Sequence, residues 1–130
     1  MITKSKSPRK QRKFLRVGSF HILKHVISSH LSPELRKKYG VRSIGVRTGD
    51  NVKIMRGDYK GKIGKVERVF IHTRSLYIEG ISMEKANGAK SKVPISPSNV
   101  MIQDLNLSDK WRKEILQRRG AKKAVNKEAA

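Results

Sequence analysis

Cysteine is absent from the 130 residues of the sequence. Without thiols the chain cannot form a disulfide framework, a thiolate zinc ribbon or a cysteine nucleophile. Long apolar runs are also lacking, since no stretch approaches the roughly 18 residues that a membrane-spanning helix needs. No apolar segment follows the basic start, as a secretory signal peptide would require. These absences predict a soluble, intracellular protein.

Acidic residues are scarce, with 10 Asp and Glu against 31 Lys and Arg, so the formal net charge is +21. The net charge is +12 over residues 1–48, +4 over residues 50–104 and +5 over residues 105–130. A positive excess of this size repels itself on a short chain and favours binding to a polyanion. Two basic ends around a nearly ordinary centre are typical of a compact module whose extensions follow phosphate backbones. A nucleic acid is therefore the leading partner.

The length favours one domain. Leu, Ile, Val and Phe number 33, which suffices for a small hydrophobic core. We expect a basic N-terminal extension with two short helices over residues 1–48, the core module over 49–104, and a C-terminal helix and basic tail over 105–130. Within the two ends, the segments 5–13 and 121–130 have the composition of tails without a core of their own.

Two short helices are predicted in the N-terminal extension. Ser19 can cap the first, whose apolar face would consist of Phe20, Leu23, Val26 and Ile27. The second has clearer signals, because Ser32 can cap it, Pro33 fits its first position and Gly40 follows its basic last turn. It spans only about two turns, so it needs a surface on which to dock.

A last helix is predicted to begin near Ser108 or Asp109 and to end by Gly120. Trp111 and Ile115 lie four residues apart and so share one face. We expect this pair to hold the helix against the core module or against RNA.

From Asp50 the hydrophobic period changes to two, which is typical of strands. Asn87-Gly88 is the strongest hairpin signal in the chain. The segment Ile63 to Ile71 is apolar on both faces, which suits a curled barrel better than a flat sheet. We count five short strands in about 55 residues: the fold class is mainly β, a small antiparallel barrel with short helices and basic extensions.

Catalysis finds little support. The run from Gly57 to Lys62 superficially suggests a phosphate loop, but its glycines are too close together and Ile63 stands where a magnesium-binding hydroxyl belongs. His21 and His25 are four apart, yet no third metal ligand is evident. We therefore predict no enzymatic activity, no metal and no cofactor.

The stretch from Val46 to Val66 resembles the KOW motif: an alternating strand, a turn, a basic glycine-bearing loop and a second strand. Gly61 matches the glycine central to that motif. The resemblance implies an SH3-like barrel. A residue without a β-carbon at this point lets a sugar-phosphate backbone come close to the loop.

The flanking segments, from Ile27 to Ile44 and from Met83 to Gly88, resemble the archaeal and eukaryotic branch of universal large-subunit ribosomal protein twenty-four, which is numbered twenty-six in eukaryotes. Gly45 departs from the proline expected there. The resemblance implies a cytoplasmic ribosomal protein bound to the 5′ domain of large-subunit rRNA. It also implies early assembly and a location near the tunnel exit, beside other ribosomal proteins and within reach of nascent chains or targeting factors.

The candidate rRNA-binding residues are cations of the extension, the motif loop and the hairpin tip, together with one glycine, one tyrosine and one asparagine. They are Arg9, Arg12, Lys13, Arg16, Arg36, Lys37, Arg42, Arg47, Arg56, Tyr59, Lys60, Gly61, Lys62, Lys65, Lys85, Asn87 and Lys90. Lysine and arginine would replace counterions around folded RNA. Tyr59 would either stack on a splayed base or pack within the loop.

Two other classes of protein remain as alternatives. A transcription elongation module shares the KOW loop, but such proteins normally carry a separate preceding domain. A DNA-compacting chromatin protein built on a small barrel would agree with the charge. Neither alternative predicts the segments Leu31 to Arg36 and Glu84 to Gly88.

Overall fold

The computed structural model describes residues 5–128, and the side chains of residues 5–120. The helices are α1 (Pro8–Val17), α2 (Phe20–Leu23), α3 (Pro33–Tyr39) and α4 (Lys110–Glu128), with a 3-10 helix at Pro97–Asn99. The strands are β1 (Ser28–Leu31), β2 (Ser43–Gly45), β3 (Asn51–Ile54), β4 (Ile63–Phe70), β5 (Ser75–Ile78), β6 (Ser82–Glu84), β7 (Lys90–Lys92) and β8 (Val100–Asp104). No helix in this part of the chain is both long and apolar enough to cross a membrane.

Six of the strands form one sheet in the order β2-β1-β8-β3-β4-β5. Beyond β5 the sheet curls, because Leu76 and Ile95 exchange backbone hydrogen bonds of 2.8 and 2.9 Å just before the chain enters β8. The buried residues inside this curl include Val52, Leu76 and Ile102. The fold is thus mainly β, and the predicted small SH3-like barrel is confirmed.

Strands β1 and β2 extend the sheet and were not predicted. The sequence of β1 is Ser-Ser-His-Leu, which lacks the alternation of apolar and polar residues that is typical of a strand. Strand β2 has only three residues. Their pairing is tertiary: β1 lies parallel to β8, with His30 opposite Met101, and antiparallel to β2. The expectation of a purely antiparallel barrel is therefore corrected at this one pair. The predicted first helix is also shorter, since Val26 and Ile27 lie beyond α2.

Between residues 49 and 104 the structure has six strands rather than five, because the Asn87-Gly88 turn joins two of its own, β6 and β7. The apparent two-faced character of β4 also has a local cause. A bulge at Glu67 shifts the register, so that Val66 pairs with Ile78 and Val69 with Leu76. Val66 and Val69 therefore both face the core, although they are three residues apart.

The signals for α3 are confirmed. The Ser32 hydroxyl accepts a hydrogen bond from the Leu35 N–H, and Gly40 ends the helix in the left-handed conformation with φ of 63°. The segment 5–13, predicted to be a tail, is helical from Pro8 onward, where it forms part of α1, a helix with no buried residue.

The predicted end of α4 at Gly120 is wrong, because the helix continues to Glu128. A β-carbon at position 120 would lie 2.7 Å from the Tyr39 carbonyl oxygen. The glycine therefore serves close packing between α4 and the end of α3, and it does not terminate the helix. The segment 121–128 continues the backbone of α4, and residues 129 and 130 of the predicted tail lie outside the described residues.

Candidate nucleic-acid interface

The loop of residues 55–62, here called the β3–β4 loop, joins the two strands of the KOW-like motif. Its base is closed by hydrogen bonds from the Gly61 N–H to the Ile54 carbonyl at 2.8 Å and from the Ile54 N–H to the Lys62 carbonyl at 2.9 Å. Inside it, the Lys60 N–H donates to the Gly57 carbonyl at 3.0 Å. The loop backbone is thus held in one conformation by its own turns.

The outer surface of this loop is basic and open. Arg56, Lys60 and Lys62 are exposed there, as is Lys65 at the start of β4. Gly61 has φ of 88°, and a β-carbon added at Gly61 would meet no protein atom within 4 Å. The loop therefore carries three exposed cations and one exposed acid, Asp58, and no protein atom lies within 4 Å of the place that a β-carbon at Gly61 would take.

Tyr59 is half-buried and packs against the hydrophobic core. The Lys62 ammonium lies 5.1 Å from the centroid of the Tyr59 ring, within the range of a cation–π interaction. Of the two interpretations of Tyr59, the structure supports packing within the loop; stacking on a base stays a prediction.

The four cations predicted in the N-terminal segment lie on one face of α1. Positions 9, 12, 13 and 16 follow the spacing i, i+3, i+4, i+7, which places side chains along one side of a helix. All four side chains are exposed: Arg9, Arg12, Lys13 and Arg16. The predicted tail of the N-terminal extension is thus corrected to a helix with a basic face, and the spacing of these four cations in the sequence already agrees with such a face.

The cations around α3 have different surroundings. The Arg36 Nε donates to the Leu31 carbonyl at 2.7 Å, so part of that guanidinium caps the end of β1. Arg47 forms an ion pair with Asp109. Lys37 and Arg42 are exposed to solvent. Arg36 and Arg47 thus have structural contacts in addition to their predicted role toward RNA.

The hairpin of β6 and β7 is a separate two-stranded sheet. At its tip the Asn87 side-chain oxygen accepts from the Ala89 N–H at 3.2 Å, and the Gly88 N–H donates to the Lys85 carbonyl at 2.9 Å. Lys85, Asn87 and Lys90 are all exposed. The tip is therefore a formed turn that presents two lysines to solvent.

A buried ion pair attaches α4 to the barrel, and sequence reasoning missed it. Arg112 donates from Nη1 to Asp50 Oδ1 at 2.6 Å and from Nη2 to Asp50 Oδ2 at 2.7 Å, and the side chains are 3% and 0% exposed. Asp50 also accepts from the backbone N–H groups of Arg47 and Asn106, each at 2.9 Å. Asp50 thus bonds the turn that precedes it, which is a local contact, whereas the arginine 62 positions away is a partner that no local pattern indicates.

Trp111 does not hold α4 against the barrel, because it is 71% exposed. Among the side chains of α4 that the structure describes, up to residue 120, the buried apolar one is Leu116, one turn beyond Arg112. The start of α4 agrees with prediction, since Asp109 accepts from the Trp111 N–H at 2.9 Å. Desolvation acts to raise the pKa of Asp109, but the hydrogen bond from Trp111 and the hydrogen bond and charge of Arg47 hold it below its ordinary value.

In the described part of the chain, no group of three or more His, Asp or Glu side chains is arranged to hold a metal ion. His72 instead lies against Phe20, with ring centroids 4.2 Å apart. His72 and its neighbours Thr73 and Arg74 face α1 across a cleft. None of these three was among the candidate residues, because a short turn carries no periodic signal.

The comparison with known protein families gives one match that covers most of the chain. Residues 5–119 match the family described as the ribosomal proteins L26 of eukaryotes and their archaeal L24 counterparts. The matched region includes α1, the whole sheet, the β3–β4 loop and the first half of α4.

Proposed function

Because this chain belongs to the family of the eukaryotic L26 and archaeal L24 ribosomal proteins, we propose that it is a structural protein of the large ribosomal subunit that binds large-subunit rRNA directly. Its partners would be the 5′ domain of that rRNA and neighbouring ribosomal proteins. Its place of action would be the cytoplasm, in the assembled subunit. A catalytic role is not proposed.

One structural observation supports direct RNA contact above the others. The β3–β4 loop holds a fixed backbone, presents exposed cations and has an open glycine at its end. An RNA phosphate could approach the Gly61 backbone without meeting a side chain, while Lys60 and Lys62 neutralise its charge. A loop of this build binds by charge and shape and needs no base-specific contact.

The finer parts of the proposal follow from the family resemblance. Early assembly would suit a protein whose cations replace counterions between RNA helices, because that replacement is needed while the RNA folds. The tunnel-exit location would leave the β6–β7 hairpin, with Lys85 and Lys90 at its tip, as a contact toward RNA, nascent chains or targeting factors. A structure of the assembled large subunit that contains this chain would test the proposed location.

Sucrose-gradient fractionation of a lysate that contains the tagged full chain tests the proposed function. We expect the chain to sediment with the large subunit and to remain there at moderate salt. A chain that sediments with RNA polymerase would favour the elongation-module alternative, and one found with chromosomal DNA would favour the chromatin alternative. Nuclease treatment is the control: RNase, and not DNase, should release the chain.

A further inference from the structure

A cleft of about 990 Å³ lies between α1 and the turn of residues 71–74 that joins β4 to β5. We call it the α1–turn cleft. Five of the residues that line it are cations and none is an acid: Arg9, Arg12, Lys13 and Arg16 from α1, and Arg74 from the turn. None of these five takes part in an ion pair among the described residues.

The two walls of the cleft meet at one aromatic contact. Phe20, just after the end of α1, contacts His72 of the turn edge to face, with centroids 4.2 Å apart and the planes at 61°. Both residues are exposed, so the contact places the walls side by side at the surface of the protein. The cations of both walls therefore face one space without counterions, an arrangement that a polyanion in the cleft would stabilise.

Arg74 has an unusual backbone. Its φ of 52° makes it the one residue other than glycine with a positive φ in the described part of the chain. The left-handed conformation is unfavourable for any residue with a β-carbon, and glycine or asparagine is the usual solution in a turn. Turn geometry therefore does not favour an arginine at this position, which directs attention to its side chain.

A second groove continues from the cleft past the same turn. Thr73 and Arg74 line both spaces, and the second is also lined by the serines Ser28, Ser75, Ser96 and Ser98. Hydroxyl groups are common donors to phosphate oxygens, and they carry no charge. Ser75 donates to the Thr73 carbonyl at 3.0 Å, and Ser96 and Ser98 share a hydrogen bond of 2.9 Å. A strand that leaves the cationic cleft would thus exchange these internal hydrogen bonds for contacts to its phosphates.

We propose that the α1–turn cleft binds the sugar-phosphate backbone of an RNA strand, with Arg74 on one side and the basic face of α1 on the other. This inference rests on the proposed function and adds to it a contact made by the turn of residues 71–74. The guanidinium group of Arg74 can donate two parallel hydrogen bonds to one phosphate, which a lysine at the same place would not do.

Arg74→Gly tests the proposal because it separates binding from stability. The full chain is titrated against a transcript of the 5′ domain of large-subunit rRNA. We expect the affinity to fall about five- to tenfold at 0.1 M salt, with a salt slope shallower by about 0.7 to 0.9, as for one lost phosphate contact. The melting temperature should stay the same or rise, since glycine relieves the left-handed backbone.

The charge-matched control is Arg118→Ala, which removes one exposed cation from α4, outside the cleft. It should change the affinity much less than Arg74→Gly. Equal losses of affinity in the two variants would mean that only the net charge matters, and this would overturn the proposal that the cleft binds RNA. Normal RNA binding by Arg74→Gly would overturn it too, while leaving the proposed function intact. Failure of the unaltered chain to bind would overturn the proposed function itself.

A second measurement uses the absence of cysteine. Thr73→Cys on the turn and Leu15→Cys on α1, at two positions that line the cleft, can each carry a single tethered hydroxyl-radical source. If both walls contact one strand, the two probes should cleave overlapping nucleotides of the transcript. A probe at Gln117→Cys on α4 should cleave elsewhere. Separate cleavage patterns from the Thr73 and Leu15 positions would overturn the proposal.

Discussion

At the scale of single residues, the pair of Asp50 and Arg112 has more structural consequence than any exposed charge. The Arg112 guanidinium also donates to the carbonyl oxygens of Asn106 and Gly45, at 2.9 and 3.2 Å. One side chain thus links β2, the start of β3, the segment after β8 and α4. Two buried charges cost desolvation free energy, which their mutual attraction and these additional hydrogen bonds offset.

Removing one partner of the pair should therefore destabilise the protein strongly. We expect Asp50→Asn to lower the free energy of unfolding by about 3–5 kcal/mol, because Arg112 would remain buried and without a compensating charge. Urea denaturation followed by circular dichroism measures this. Trp111→Ala, next to Arg112 and largely exposed, is the control and should change the stability by less than about 0.5 kcal/mol. The reverse order of effects would mean that Trp111 holds the helix.

Asp109 gives a pH dependence of known sign. Its pKa is lowered from 3.8 in the folded chain, so the ionised form stabilises the fold above that pH, and this contribution is lost as the pH falls through the lower folded value. Asp109→Asn keeps a good helix cap and removes the charge. The variant should melt below the unaltered chain at about pH 6, and the difference should shrink as the pH falls below 3.8 through the lower folded value. A difference independent of pH would contradict the assignment.

At the scale of elements, the packing of α4 on α3 depends on Gly120. Alanine has a higher helix propensity than glycine, so in an unpacked helix Gly120→Ala would stabilise the chain by about 1 kcal/mol. Here the added β-carbon would lie 2.7 Å from the Tyr39 carbonyl oxygen, so we expect destabilisation instead. A higher melting temperature for Gly120→Ala would indicate an unpacked helix, and a lower one would indicate the close contact with Tyr39. Gln117→Ala, an exposed position on the same helix, is the control.

The helices and strands that the sequence predicts are those whose signals are local. The capping signals of α3 are all local, because Ser32, Pro33 and Gly40 act within one helix, and the structure confirms each. Val66 and Val69 of β4 both face the core because a bulge changes the register between them, while Ile63 and Phe70 are exposed. The bulge is defined only by the pairing with β5, so the alternation alone could not reveal it.

At the scale of the whole molecule, charge dominates the expected behaviour. With a net charge of +21 and about eight phosphate contacts, the affinity for an rRNA transcript should fall about a thousandfold or more between roughly 50 and 200 mM salt, by analogy with duplex DNA. Filter binding over a series of salt concentrations measures the slope. A flat response would contradict binding by charge neutralisation.

The slope also reports how many cations of the β3–β4 loop touch RNA. The double variant Lys60→Ala, Lys62→Ala should make the slope shallower by about 1.4 to 1.8, as for two lost contacts. Lys110→Ala with Lys113→Ala removes the same charge from exposed positions of α4 and should leave the slope closer to that of the unaltered chain. Equal slopes in both double variants would assign no special role to the loop.

The sequence by itself determined the mainly β centre, the hairpin, the capped helix and the family resemblance, and it predicts a polyanion as the partner. Each of these follows from composition or from residues close together in the chain, where spacing fixes geometry. Only the tertiary structure decided that β1 pairs with β8, that Arg112 meets Asp50, and that Arg74 faces the basic side of α1. These contacts join residues that are far apart in sequence, and their stability comes from burial and desolvation, which exist only once the chain has folded.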